Sequence, residues 1–167
     1  MLLYIVRHAI AEDRDLFAKK NPEDSLRPLT MKGKKRMRKI IQGIKRELAE
    51  IELIVTSPFL RAKQTANLIS EMIGKIQIVE SAELVPQAPP QAIIKWLKME
   101  GIKHKKILIV GHEPHLSSLA SLLLSGKSEG RFIEFKKSSI ALIETGNFSE
   151  LTPSRASLLW LLSPKMR

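Results

Sequence analysis

Apolar positions along this chain follow two patterns that alternate. The first is a short apolar block, as in Leu2-Leu3-Tyr4-Ile5-Val6, Leu53-Ile54-Val55-Thr56 and Ile107-Leu108-Ile109-Val110, with Ile76-Gln77-Ile78-Val79 as a further strand. Such blocks are too short to span a membrane and suit strands buried on both faces. The second is helical spacing. Met37, Ile40, Ile41, Ile44 and Leu48 predict a helix over 31–50, with Thr30 as N-cap and lysines and arginines on the opposite side. Phe59, Leu60, Ala62, Ala66, Leu68, Ile69 and Ile73 predict another, with Ser57 as N-cap, Pro58 at the first helical position and Gly74 as C-cap. Ile93, Ile94 and Leu97 predict a third over 91–100, and Leu116, Leu119, Ala120, Leu123 and Leu124 a fourth, opened by Pro114.

Beyond Gly126 the pattern changes. Segments 132–135, 139–144 and 156–162 read as strands, some antiparallel, that complete the sheet at its edge, with a turn at Thr145-Gly146-Asn147-Phe148. Strand and helix alternate over the first three-quarters. This predicts an α/β protein, a three-layer α/β/α sandwich whose central sheet is mainly parallel with an antiparallel edge, forming a single domain over 1–167. Residues 10–28 are polar, carry two prolines and read as a long functional loop.

Composition narrows the setting. The apolar fraction of 44% and charged fraction of 27% are those of an ordinary globular protein. No apolar run reaches transmembrane length, no membrane partner is expected, and the amino terminus does not read as a secretory signal. The chain has no cysteine, so disulfides and thiolate metal sites are excluded and a cytoplasmic location is the default. Twenty-eight Lys and Arg against 17 Asp and Glu give a net charge of +11. That surplus suits an acidic partner or a phosphorylated substrate, or is simply a solvated positive face; the basic face of the helix over 31–50 reads as mostly solvated, with docking of an acidic partner as the lesser alternative. Nucleic-acid binding would call for a basic stripe interleaved with exposed aromatics, and aromatics make up only 5% of the chain. No specific nucleic-acid partner is expected.

Chemistry-bearing residues stand at the carboxyl ends of the apolar blocks. Arg7 and His8 follow the first; Ser57-Pro58, with Arg61 and Thr65 a turn or two later, follows the second; Gly111-His112-Glu113-Pro114 follows the last. In open α/β sheets that edge is where ligands bind. An arginine beside a histidine pairs a fixed cation, able to hold an oxyanion in a bidentate fork, with a neutral nucleophile or base. Arg61 brings a second cation, and His112 at the start of a helix faces a place favourable to an anion. His115 lies three residues after His112 without a third ligand at sensible spacing, so no metal and no cofactor are expected. His104 reads as a solvated surface residue, and Trp96 and Trp160 as core.

Arg7-His8-Ala9, Ser57-Pro58-Phe59-Leu60-Arg61-Ala62-Lys63-Gln64-Thr65-Ala66 and Val110-Gly111-His112-Glu113-Pro114 together resemble the three motifs of the histidine phosphatase superfamily, also called phosphoglycerate mutase-like. Arg27-Pro28-Leu29-Thr30 followed by Gly33, and the ending Leu158-Leu159-Trp160-Leu161-Leu162-Ser163-Pro164, resemble its SixA branch, the phosphohistidine phosphatases. The resemblance runs over 1–164. It implies a phosphoglycerate mutase-like fold without the large helical cap insertion of bigger members, and a metal-independent phosphatase. His8 matches the nucleophile, which becomes phosphohistidine before water regenerates it. Arg7, Arg61 and His112 match the residues that hold the phosphoryl oxygens.

The family's leaving-group acid falls after the third strand, where Glu83 is the nearest candidate, either as that acid or as a surface loop glutamate; Glu113 and Asp13 rank behind it. Arg27 either reaches the pocket as a substrate-binding residue or anchors its loop. The implied substrate is phosphohistidine on a signalling or phosphotransfer protein. A small phosphoester, such as a sugar phosphate or nucleotide, is the enzymatic alternative, and a phosphate or nucleic-acid binding module the non-enzymatic one.

Overall fold

The four apolar blocks pair side by side. In a computed structural model of the protein, which describes residues 1–129 and 132–164, β1 (Leu2–Arg7), β2 (Leu53–Thr56), β3 (Ile78–Glu80) and β4 (Lys106–Gly111) are parallel neighbours. The last three residues of the expected 1–167 domain lie outside the described residues. β5 (Ile140–Glu144) and β6 (Ser157–Leu162) add the antiparallel edge, giving one sheet of order β3-β2-β4-β1-β5-β6.

Burial on both faces explains the apolar blocks of β1, β2 and β4, whereas β3, at the sheet edge, is only partly buried. On β1, Leu3 and Ile5 enter one core, whereas Tyr4 and Val6 enter the other. The first core is closed by α4 (Pro90–Met99) and α5 (His115–Ser125), the second by α2 (Met31–Gly43) and α3 (Leu60–Ile73). Met37 and Ile41 of α2 are fully buried, each such side chain contributing roughly 2–3 kcal/mol of transfer free energy. A short helix, α1 (Arg14–Ala18), lies within the expected loop over 10–28 and buries nothing. Among the described residues no large helical insertion stands over the sheet edge, and no helix is long and apolar enough to cross a membrane.

Three sequence expectations are corrected. The helix predicted over 31–50 ends at Gly43 and continues as turns, because glycine weakens a helix interior while Leu48 still reaches the core. α3 starts at Leu60, not at Pro58. Phe59 is extended, and the Ser57 hydroxyl meets His112 rather than a full cap. Segment 132–135 is not a strand. The Phe135 N–H donates to Glu113 and its carbonyl accepts from Arg7, so its backbone is held by side chains at the site. Trp96 and Trp160 sit half-buried at the rims of the two cores, Trp160 edge-on to Tyr4 at 6.3 Å between ring centres. His104, partly exposed, lies 3.6 Å from Glu52.

Candidate active site

Parallel register brings the strand ends together. Arg7 pairs with Gly111 and Thr56 with Val110, so the residues that follow each strand emerge at one edge. The His8 N–H donates to the Gly111 carbonyl at 3.1 Å and the Ser57 N–H to the Val110 carbonyl at 3.0 Å, which extends the ladder one step into the site. There a cavity of about 270 Å³ is walled by His8, His112, Arg7, Arg27, Arg61 and Lys137, with Glu12, Asp13, Arg14, Pro86 and Glu113 at its margins. It lies just below the size range of pockets that enclose drug-sized ligands.

His8 is 4% exposed, and its Nδ1 lies 2.7 Å from the Ala9 carbonyl oxygen. A carbonyl can only accept, so Nδ1 carries the proton and Nε2 keeps its lone pair. Burial pushes the ring's pKa down to about 3, helped by Arg61, Arg7 and Arg27 against the opposing pull of the Ala9 carbonyl. The ring is therefore neutral at pH 7. His112 stands 5.1 Å away between ring centres, 2% exposed, with Nε2 2.8 Å from the Ser57 hydroxyl. Burial, then His8 and Arg61, push it down to about 2. It is a neutral dipole rather than the cation its position suggested, and the fixed positive charge comes from the arginines and Lys137.

Arg61 is 2% exposed and is held from one side: Nη1 donates to the Asp24 carbonyl at 2.8 Å and Nη2 to the Asp24 carboxylate at 3.0 Å. Arg27 donates from Nε to the other Asp24 oxygen at 2.8 Å and from Nη1 to the Glu12 carbonyl at 2.7 Å. Arg27 therefore both lines the cavity and ties down its loop. Arg7 donates from Nη1 to the Phe135 carbonyl at 2.5 Å. The Nε groups of Arg7 and Arg61 are buried without a hydrogen-bond partner. Thr65 locks two motifs together, accepting from the Ala9 N–H at 3.0 Å and donating to the Arg61 carbonyl at 2.7 Å.

The candidate acids part company. Glu83 does not line this cavity. It lies against Val79, Lys95 and Trp96, because the turn that buries Leu84 completely aims its neighbour outward, and the loop contributes Pro86 instead. Glu113 does line it, but one oxygen accepts from the Phe135 N–H at 3.1 Å and the other from the Ser117 hydroxyl at 2.6 Å. Asp13 caps α1, accepting from the N–H groups of Asp15 and Leu16. His115 is buried away from the cavity wall, and among the described residues no cluster of three or more His, Cys, Asp or Glu could hold a metal ion. Asp24, Ser57, Thr65 and Lys137 are the site residues whose contacts sequence reasoning missed. The signal for Asp24 was charge balance: a carboxylate between Arg27 and Arg61 offsets their mutual repulsion at one small cavity.

A neutral imidazole facing several fixed cations in a small cavity can accept a phosphoryl group. The histidine phosphatase superfamily (branch 1) model matches residues 3–85. An uncharacterized protein of Picosynechococcus sp. (strain ATCC 27264 / PCC 7002 / PR-6) is 34% identical over 99% of this chain and 98% of its own length. The phosphohistidine phosphatase SixA of Escherichia coli (strain K12) is 29% identical over 98% of this chain and 94% of its own. A solved structure of the protein histidine phosphatase SixA complexed with tungstate has a TM-score of 0.79 at 26% identity, covering 98% of this chain and 97% of that one. Likeness of this extent reaches far past the amino-terminal half that the family model matches, and with the strand-end geometry it leads to one conclusion: the chain belongs to the histidine phosphatase superfamily and is a phosphatase.

Proposed function

We propose that the enzyme removes the phosphoryl group from phosphohistidine on a signalling or phosphotransfer protein, without a metal, through a covalent phosphohistidine on His8. One observation carries the reading: Nδ1 of a neutral His8 is tied to the Ala9 carbonyl, which leaves Nε2 as the unprotonated atom beside Arg7, Arg27, Arg61 and His112. In the first step Nε2 bonds to phosphorus as the bond to the substrate's ring nitrogen breaks. The arginines hold the equatorial oxygens, and a loose transition state needs that positive charge and alignment more than covalent help. Water then attacks the phosphohistidine, and inorganic phosphate leaves with His8 restored.

Leaving-group chemistry favours phosphohistidine over an alkyl phosphoester. An imidazole protonated at its distal nitrogen departs as a neutral ring, whereas an alcohol departs as an alkoxide unless an acid protonates it. Two of the carboxylates at the cavity margin, Asp13 and Glu113, are already engaged, and Glu83 is elsewhere. The similar SixA structure holds tungstate, an oxyanion shaped like phosphate. The lack of a large helical insertion among the described residues leaves the cavity open to a bulky protein.

The test is phosphate release in excess EDTA, comparing a histidine-phosphorylated phosphotransfer protein with an aryl and an alkyl phosphate. Release should prefer the phosphoprotein, spare the alkyl ester and vanish in His8→Ala, with an acid-labile phosphoenzyme trapped in the parent. Activity retained by His8→Ala overturns the nucleophile, and preference for the alkyl ester overturns the substrate.

A further inference from the structure

A stripe along α2 takes no part in the cavity around His8. Lys32, Lys35, Arg36 and Lys39 recur at spacings of three and four on one face, and Ile40 and Ile44 continue it. With Leu162 at the end of β6 these residues enclose a groove of about 650 Å³, its floor apolar and its rim cationic. Gly43 borders open space, since a Cβ there would meet nothing within 4 Å. Lys32, Lys35 and Lys39 are exposed and make no ion pair among the described residues.

A second hollow lies between the groove and the site. Arg36 and Pro164 also line a hollow of about 340 Å³ shared with Arg7, Lys136 and Lys137. Arg7 and Lys137 in turn wall the cavity around His8. Cationic side chains shared by neighbouring hollows thus lead from α2 toward the nucleophile.

That chemistry fits one kind of occupant. Four cations spread over about 10 Å of helix match carboxylates repeating at the same spacing on a facing helix. An isoleucine and leucine floor asks for an apolar stripe beside them. A nucleic acid matches the cations but not the floor, and a small metabolite is too short to meet cations spread along the helix. We propose that the groove between α2 and β6 docks an acidic amphipathic helix of the protein whose phosphohistidine enters the cavity. The proposal rests on the phosphohistidine phosphatase reading and assigns its partner's recognition surface.

Two synthetic phosphohistidine peptides test it, both helical and apolar on one face, one with glutamates at i, i+3, i+4 and i+7 and the other with glutamines there. Free phosphohistidine serves as the undocked substrate. The parent should favour the glutamate peptide roughly tenfold in kcat/KM, through KM and less so at high salt. The triple variant Lys32→Glu, Lys35→Glu, Lys39→Glu should lose that preference while hydrolysing free phosphohistidine within about twofold of the parent, which also shows that it folds.

Equal rates on both peptides in the parent, with His8-dependent release, overturn the docking surface and leave the phosphatase reading standing. No release from any phosphohistidine substrate overturns the phosphatase reading, and the docking proposal with it. A duplex oligonucleotide that competes with the peptide more strongly in the parent than in the triple variant reassigns the groove to nucleic acid and overturns the proposal.

Discussion

Asp24 joins two arginines that would otherwise repel each other. Its carboxylate accepts from Arg61 and Arg27 at 3.0 and 2.8 Å, and its backbone carbonyl takes the remaining terminal nitrogen of Arg61. Desolvation opposes the ionised carboxyl, but Arg27 and Arg61 outweigh it and hold the carboxyl below its ordinary range. Asp24→Ala should therefore let both guanidinium groups drift and lower kcat/KM roughly tenfold or more, since misplacement by about 1 Å can cost far more than a lost contact. Asp24→Asn, which keeps an acceptor, should recover most of the loss. Steady-state kinetics decides it, and an unchanged Asp24→Ala would remove Asp24 from the positioning machinery. His8, Arg7, Arg61 and His112 were legible in the sequence because each stands at or just beyond the end of an apolar block, where parallel register fixes its place. Asp24 was not, because it reaches the site only when a polar loop folds back. Glu83 was misplaced for the same reason: burial of Leu84, not spacing along the chain, decides which way residue 83 points.

At the scale of elements, the start of α2 is fastened to the loop that follows His8. Thr30 donates from its N–H to the Ile10 carbonyl at 3.0 Å, and its hydroxyl accepts from the Gly33 N–H at 3.0 Å. A Cβ on Gly33 would lie 2.1 Å from the Ile10 oxygen, a backbone atom that cannot swing aside. Helix propensity alone favours alanine there by about 1 kcal/mol. Forced separation of packed backbone costs roughly 1–3 kcal/mol or more, so the steric effect should win. Gly33→Ala is expected to lower the urea midpoint and, by moving Ile10 two residues from the nucleophile, to lower kcat as well. A midpoint equal to or above the parent's would show that the loop yields freely. The strands and helices behind this arrangement were readable because each carries one dominant period. The end of α2 was not, since Ile44 and Leu48 keep helical spacing through turns. Nor was segment 132–135, whose alternation is overridden when Glu113 and Arg7 take its backbone groups.

Across the whole molecule, three of the four histidines are buried and neutral, and this ties stability to pH. His8, His112 and His115 are 4%, 2% and 3% exposed, and burial lowers their pKa values to about 3, 2 and 4. In the unfolded chain each titrates near 6.5. As pH falls below 6.5 the unfolded state takes up protons that the native state refuses, so the stability present above that pH declines until the native values are reached. Each histidine accounts for about 1.4 kcal/mol per pH unit at full slope. Between pH 6.5 and 5 ordinary carboxylates barely titrate, so the histidines dominate this window. His115 stands outside the cavity, and burial outweighs the backbone hydrogen bond at Pro89 that favours its protonated form, which makes it the one to change. Urea unfolding of the parent from pH 7 to pH 5 should approach a slope of three protons, and His115→Leu a slope of two. Identical slopes would mean that His115 is not buried neutral. Since His8 is already unprotonated at pH 5, acid loss of activity in the same window should follow substrate protonation and global unfolding, not titration of the nucleophile.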